Sequence, residues 1–409
     1  MEVKKPGNYR GLAIGSILAK LYSFIMLRRL AAYIDQNKNI SRNQIGFMKG
    51  SRTSDHIFLL QTIIEKVVKK ACQQKLFCAF IDFEKAYDTV NRRTLLGRLN
   101  DIGINGLFFK NVVSMYQKTD YLVKYEEGHL DAIESNIGLK QGCPLSPLLF
   151  NLYIDDISNI FDKHCEPISI QGESISHLLY ADDLILVSKS KEGLQRCLDK
   201  LQVFADLKHL KVNIDKSKTM IFNKIGKLIK HYFRINGKQL EPVHNFCYLG
   251  FDICASGTVN TAINTLHDKA MKAMRPIFGA ISKFNLPVKT AIHVFHTIIS
   301  PIMLYNVENW LTLSNKKLEK ITLDNIFTEL NDTKANMIHR KFLKYVLGVT
   351  KSCPTLALMG ETAEIPIIVK GLRLMLKFWH RLNHLNNESL AKKSTFGKYR
   401  AANKLDSDN

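Results

Sequence analysis

His177-Leu-Leu-Tyr-Ala-Asp-Asp-Leu-Ile-Leu-Val-Ser188 sets two adjacent carboxylates, Asp182 and Asp183, between two runs of apolar, β-prone residues. A run of this kind, a tight polar break and a second run predict two strands joined by a hairpin. The carboxylate pair then sits at the tip, where a short turn exposes side chains without breaking either ladder. Adjacent carboxylates repel each other, and a divalent cation removes that penalty. An isolated Asp-Asp pair also reads as a plain solvated turn. A further carboxylate, delivered by another apolar strand, is what separates the two readings.

Leu76-Phe-Cys-Ala-Phe-Ile-Asp-Phe-Glu-Lys-Ala-Tyr-Asp88 supplies it, because Asp82 ends a wholly apolar run. A buried strand that delivers a lone carboxylate is unfavourable unless the charge meets a metal or a base. Asp88 is expected to cap the next helix, ahead of Thr89 and Asn91. Asp82, Asp182 and Asp183 together could hold two hard cations roughly 3.5–4 Å apart, an arrangement suited to activating a hydroxyl and stabilising a leaving pyrophosphate. Gly138-Leu-Lys-Gln-Gly-Cys-Pro-Leu-Ser-Pro-Leu-Leu-Phe150 is a Gly/Pro-punctuated loop running into an apolar helix. Its glycines allow close approach of backbone to a ligand, and Pro147 suits the first helical turn.

Phe80 to Asp88, Gly138 to Phe150 and Tyr180-Ala-Asp-Asp183, in that order, resemble the palm motifs of reverse transcriptases, most closely those of non-LTR (LINE-like) retrotransposons. The resemblance implies an α+β, right-hand polymerase fold with fingers, an antiparallel palm sheet backed by helices, and a helical thumb. It also implies RNA-directed DNA polymerase activity, with an RNA template, a DNA primer, dNTPs and two Mg²⁺ (or Mn²⁺) ions. Asp82, Asp182 and Asp183 stand as metal ligands. Gln141 contacts the incoming nucleotide and template, Tyr87 lies under its sugar, and Phe83 joins them in the nucleotide site. Expected boundaries are fingers at 1–75, palm at 76–256 with inserted finger elements near 92–137, thumb at 257–350, and a helical extension at 351–409.

The rest of the chain extends the resemblance. Asn8-Tyr-Arg-Gly11 is similar to the opening of the family's fingers, which makes Arg10 a candidate for the incoming triphosphate, with Lys4 and Lys5 as further cations. Ser16 is expected to cap an amphipathic helix to about Ile34. Gln44-Ile-Gly-Phe-Met-Lys-Gly50 resembles a loop whose Gly46, Lys49, Gly50 and Arg52 track template phosphates. Gly142 is placed against the template as well. Lys216 or Lys218 is a candidate general acid for the pyrophosphate, and a plain surface lysine is the alternative for each. Tyr248-Leu-Gly250 resembles the hairpin that grips the primer. Leu304 to Trp310 resembles the end of the thumb, although Asn306 stands where glycine is usual, so a different backbone is expected there. Ala401 to Asn409 is expected to fray. Neither an endonuclease nor an RNase H signature is seen, and the first finger strands are expected to be missing.

A net charge of +21 and a pI near 9.5 suit a polyanionic partner. Eight cysteines without a Cys-x-x-Cys pair point to reduced thiols, and no signal peptide is evident, so an intracellular chain is expected. The uncharged stretch from Thr290 to Val307 contains Pro301 and reads as a buried helix broken at the proline instead of a membrane span. Two rival functions share these motifs: a decayed element that only binds nucleic acid, and a maturase of the group II intron type.

Overall fold

β1 (Leu76–Ile81) is apolar throughout and almost wholly buried, as expected for a strand covered on both faces. It lies at the centre of a five-stranded sheet of order β5-β4-β1-β3-β2, with β2 at His177–Tyr180, β3 at Asp183–Ser188, β4 at Lys218–Phe222 and β5 at Glu241–Pro242. β1 and β2 each pair antiparallel with β3, whereas β4 and β5 pair in parallel. The sheet is therefore mixed, not wholly antiparallel as expected. Pro242 lacks an N–H, and an edge strand is where a sheet tolerates that.

The computed structural model describes residues 11–70, 74–117, 119–125, 128–129, 131–313 and 333–395. They form two compact units. One consists of Met1–Thr53, Gln74–Ile221 and Leu228–Val243, the other of Ser54–Gln73, Phe222–Lys227 and His244–Asn409. α1 (Ile17–Asn37) belongs to the first unit, capped by the Ser16 hydroxyl accepting from the Ala19 N–H. α2 (Thr53–Ile64) is buried along its length from Ser54 and belongs almost entirely to the second. Its buried residues include Asp55, His56 and Gln61 as well as apolar side chains.

In the first unit, the sheet packs with α3 (Arg92–Asp101), α4 (Gly106–Gln117), α5 (Ser146–Ile154) and α6 (Lys191–Leu207). Pro147 lies in the first turn of α5, where its missing N–H has no helical partner to lose. Leu194, Leu198, Leu201 and Phe204 of α6 enter the core with Phe150, Leu184 and Leu186. α6 stops at Leu207, and His209 follows in the left-handed region (φ 54°).

In the second unit, β6 (Asn245–Tyr248) and β7 (Phe251–Cys254) form a hairpin, followed by α7 (Asn260–Phe284), α8 (Val288–Val294), α9 (Ser300–Met303) and α10 (Val307–Leu313). Thr290 to Val307 is thus not one broken helix. A π-helical turn, Phe295–Ile299, joins α8 to α9, and Pro301 sits harmlessly in the first turn of α9. Asn306 adopts φ 54°, the left-handed region that glycine would also take, so the substitution leaves the backbone path open. Then come α11 (Lys334–Val346), α12 (Thr355–Thr362) and α13 (Ile367–His384). Asp55 in α2 is buried and receives both guanidinium nitrogens of Arg381 from α13. Trp379 meets Phe58 edge-on at 5.7 Å, a core contact. No described helix is long and apolar enough to cross a membrane.

Candidate active site

β1 pairs with β3 in a register that runs to Ile81 opposite Leu184. One further step brings Asp82, just past β1, opposite Asp183, the first residue of β3. Tyr180 pairs with Asp183 across a turn made by Ala181 and Asp182. Three carboxylates from two distant stretches of sequence thereby reach one end of the sheet. The Asp82 side chain is 34% exposed, Asp182 is half-buried and Asp183 is exposed.

Ala181 takes φ 54°, which a non-glycine residue keeps only when its surroundings over-determine it. Gln44 provides the constraint. Its Oε1 accepts from the Ala181 N–H at 3.0 Å and the Gly46 N–H at 2.8 Å, and its Nε2 donates to the Ala181 carbonyl at 3.4 Å. The backbone on both sides of Gln44 extends β2 outward, with Ile45 N–H donating to the Leu179 carbonyl and Leu179 N–H to the Asn43 carbonyl. Gly46 is buried against the turn, and a Cβ there would lie 2.3 Å from the Ala181 nitrogen. Gly46 thus braces the carboxylate hairpin. Lys49, Gly50 and Arg52 lie on the exposed continuation of the same loop.

Asp82 is held by the segment after α6. Its N–H donates to the Ser217 hydroxyl at 3.1 Å, and its carbonyl accepts from the Asn213 N–H at 2.8 Å. A bridge between Phe83 and Val212 continues the contact. This pairing sets Lys216 Nζ 3.9 Å from Asp82 Oδ2. Lys218 instead pairs with Glu241 at 2.5 Å, across the β4–β5 edge. Ser217 is fully buried, and a serine in a Lys-Ser-Lys run carries no sequence signal for that role.

The loop from Gly138 to Gly142 lies alongside Tyr87 to Val90. Gly138 N–H donates to the Val90 carbonyl and Leu139 N–H to the Tyr87 carbonyl, each at 2.8 Å. Gly138 adopts φ 79°, and a Cβ there would meet the Asp88 carbonyl at 2.7 Å. Buried Arg92 fastens the far side, donating to the carbonyls of Gly138, Tyr116 and Ser135. The outcome is that Gln141 Nε2 donates to Asp88 Oδ1 at 2.5 Å. Asp88 is therefore not the cap of α3. Asn91 is, its Oδ1 accepting from the Thr94 N–H, because it directly precedes the first helical residue. Gly142 (φ 100°) packs against the Ala13 carbonyl, which a Cβ would approach to 2.9 Å.

Tyr87 stacks on Phe150 of α5, and burial, followed by the charge of Asp182, raises its phenol well above the ordinary tyrosine range. Phe83 is only 3% exposed, so its ring belongs to the core and is out of a ligand's reach. Arg10, Lys4, Lys5 and the stretch from Ala401 to Asn409 lie outside the described residues.

In the second unit, Leu249 (φ 46°) and Gly250 (φ 78°) form the two-residue turn of the β6–β7 hairpin. Tyr305 Oη donates to the Leu249 carbonyl at 2.5 Å. Tyr248 is buried with its hydroxyl 3.2 Å from His56 Nδ1, leaving only the hairpin's tip for a ligand.

Comparison with known proteins agrees with this arrangement. The chain is 25% identical over 318 residues to the retrovirus-related Pol polyprotein from type-2 retrotransposable element R2DM of Drosophila melanogaster, covering 75% of this chain and 28% of that protein. It is 23% identical over 321 residues to the probable RNA-directed DNA polymerase from transposon BS of the same organism, covering 75% and 34%. The chain spans about a third of the length of the curated relatives it matches. Among solved structures, a telomerase from Candida tropicalis in complex with a telomeric RNA fragment aligns with 85% of this chain and 56% of its own, at 14% identity and a TM-score of 0.42. The family model described as reverse transcriptase (RNA-dependent DNA polymerase) matches residues 3–253, more than half of the chain and all of the carboxylate site. This chain belongs to the reverse transcriptase family and has its right-hand polymerase fold.

Proposed function

We propose that the chain is an RNA-directed DNA polymerase that joins dNTPs to the 3′-hydroxyl of a DNA primer on an RNA template. The observation that carries the proposal is the convergence of Asp82, Asp182 and Asp183 at one end of the sheet. These donors are hard carboxylate oxygens, which fit Mg²⁺ or Mn²⁺, ions that favour oxygen ligands. Asp82, Asp182 and Asp183 would hold two such ions, whose chemistry is to lower the pKa of the attacking hydroxyl and to stabilise charge on the departing pyrophosphate.

The chain's own residues do the rest. The primer oxygen forms a bond to the α-phosphorus as the bond to pyrophosphate breaks. Lys216 gives a proton to the leaving oxygen, work worth about 10²–10⁴-fold. Tyr87 forms the wall under the sugar. Gln141, steadied by Asp88, meets the nucleotide and template. Lys49, Gly50 and Arg52 lie along template phosphates, and the Leu249–Gly250 tip contacts the primer backbone. Phosphate contacts of this kind provide most of the affinity and make it steeply salt-dependent.

The test is extension of a DNA primer annealed to RNA by the purified chain with Mg²⁺ or Mn²⁺, beside Asp182→Asn. Extension by the wild type and none by the variant, with template–primer binding retained by both, is the expected result. Binding without extension by the wild type would instead identify a module that only holds nucleic acid, and near-normal extension by Asp182→Asn would remove the carboxylates from the chemistry.

A further inference from the structure

His339 of α11 is wholly buried, yet neither of its ring nitrogens has a hydrogen-bond partner among the described residues. A buried imidazole whose nitrogens make no hydrogen bond is unfavourable unless something else meets them. Its Nε2 lies 3.5 Å from Glu364 Oε2, and the same oxygen is 2.8 Å from His296 Nε2. All three ligand atoms fall within 4.8 Å of one another, the one such cluster of histidine, cysteine and carboxylate side chains among the described residues. The residues come from separate elements. His296 sits in the π-helical turn between α8 and α9, His339 in α11, and Glu364 just beyond the left-handed cap of α12 at Ala363.

We propose that His296, His339 and Glu364 form a Zn²⁺ site that ties these three helical segments together in the C-terminal unit. Two imidazoles and one carboxylate select zinc over Mg²⁺ or Ca²⁺, which prefer all-oxygen shells. Zn–N and Zn–O bonds of about 2.0–2.2 Å in a tetrahedron set ligand atoms roughly 3.3–3.5 Å apart. The 3.5 Å between His339 and Glu364 matches this, and the 2.8 Å between His296 and Glu364 would open slightly as the ion enters. Phe295 stacks on the His339 ring at 5.0 Å with 18° between planes, fixing its orientation. His296 and Glu364 keep 20% and 16% of their side chains exposed, giving the ion a way in and leaving a fourth position for water.

Lys370 of α13 competes for the site. Its Nζ stands 3.0 Å from His296 Nδ1 and 3.2 Å from Nε2. Lys370 is only partly buried, and its long side chain can swing out as zinc enters, so its ammonium should weaken zinc binding without forbidding it. A hydrogen bond between His296 and Glu364 explains that pair alone, and it leaves both nitrogens of His339 unaccounted for.

The experiment uses the full chain, stripped with chelator, returned to excess Mg²⁺ to occupy other carboxylates, and titrated with Zn²⁺. Co²⁺ serves as a visible-absorption probe of tetrahedral geometry. The expected result is one Zn²⁺ per chain, a rise in Tm on loading, and loss of both in Glu364→Gln and His339→Ala. Asp182→Asn should keep the ion, and Lys370→Met should bind it more tightly. If His339→Ala does not fold, Glu364→Gln and the wild-type titration decide the matter. A folded wild type that retains no zinc overturns the site, as does zinc kept by Glu364→Gln or lost by Asp182→Asn.

Discussion

Tyr87 lies on Phe150 with ring centroids 4.5 Å apart and 16° between planes, and its buried hydroxyl has no hydrogen-bond partner among the described residues. A stacked ring cannot tip away from a ligand without losing that contact, so Tyr87 presents a fixed surface beside Asp182. Tyr87→Ala is expected to admit rNTPs that the wild type rejects, read as the ratio of kcat/KM for dNTP and rNTP. An unchanged ratio in a folded variant would end the role of Tyr87 in sugar choice. Tyr87→Phe keeps the stack and removes an unsatisfied hydroxyl. It should fold at least as stably as the wild type, by up to about 1–3 kcal/mol in denaturant titration.

Gln44 and Gly46 brace the turn that carries Asp182. Gln44→Ala removes three hydrogen bonds around a strained alanine and should lower stability by about 1–3 kcal/mol. Gly46→Ala drives a methyl into the Ala181 backbone and should be worse. Both are expected to reduce kcat more than template affinity, because phosphate contacts lie on other residues. Equal loss of both quantities would show instead that the loop acts chiefly on the template.

Lys216, exposed beside Asp82, and Lys218, held in β4 by Glu241, stand in different surroundings. Lys216→Met should slow single-turnover extension by about 10²–10⁴-fold. Lys218→Met breaks the ion pair with Glu241 and should leave the chemical step nearly unchanged. The reverse pattern would transfer the proton-donating role to Lys218.

Asp155 provides a pH signature of stability. It is 7% exposed, and burial raises its pKa to about 6, partly opposed by the Ser41 N–H it accepts at 2.8 Å. A raised carboxyl binds its proton more tightly in the folded chain than in the unfolded one. Its contribution is therefore most favourable below about pH 4 and is lost as pH rises through 6. Asp155→Asn can still accept from Ser41 and carries no charge. It should be more stable than the wild type at pH 7–8, by on the order of 2–3 kcal/mol, with the gap closing toward pH 4. Denaturant titrations of both proteins across that range measure it, and a gap that widens toward acid would contradict the assignment.

Much of this protein is written in short stretches of its sequence. The run from Leu76 to Ile81 and the run from Leu184 to Val187 are too apolar to lie outside a buried core, and their β-prone residues favour strands with a turn at the Asp-Asp break. Ser16, Pro147 and the Leu249–Gly250 turn are local signals too, since capping, a missing N–H and positive φ act within a few residues. Those features, with the resemblance that the three motifs carry, sufficed to expect the palm sheet and its carboxylates. What tertiary structure alone decided are the partnerships between stretches far apart in sequence. Gln44 reads as one more polar loop residue until its amide is seen bracketing Ala181, and Ser217 until it meets the Asp82 N–H. Lys216 and Lys218 are indistinguishable on paper, and the pairing of β4 with β5 commits one of them to Glu241. His296, His339 and Glu364 match no spaced motif, because each sits on a different segment and only packing brings their ligand atoms together. Local preference acts over a few residues, whereas burial and hydrogen bonding across the fold act over distances in sequence that no local pattern encodes.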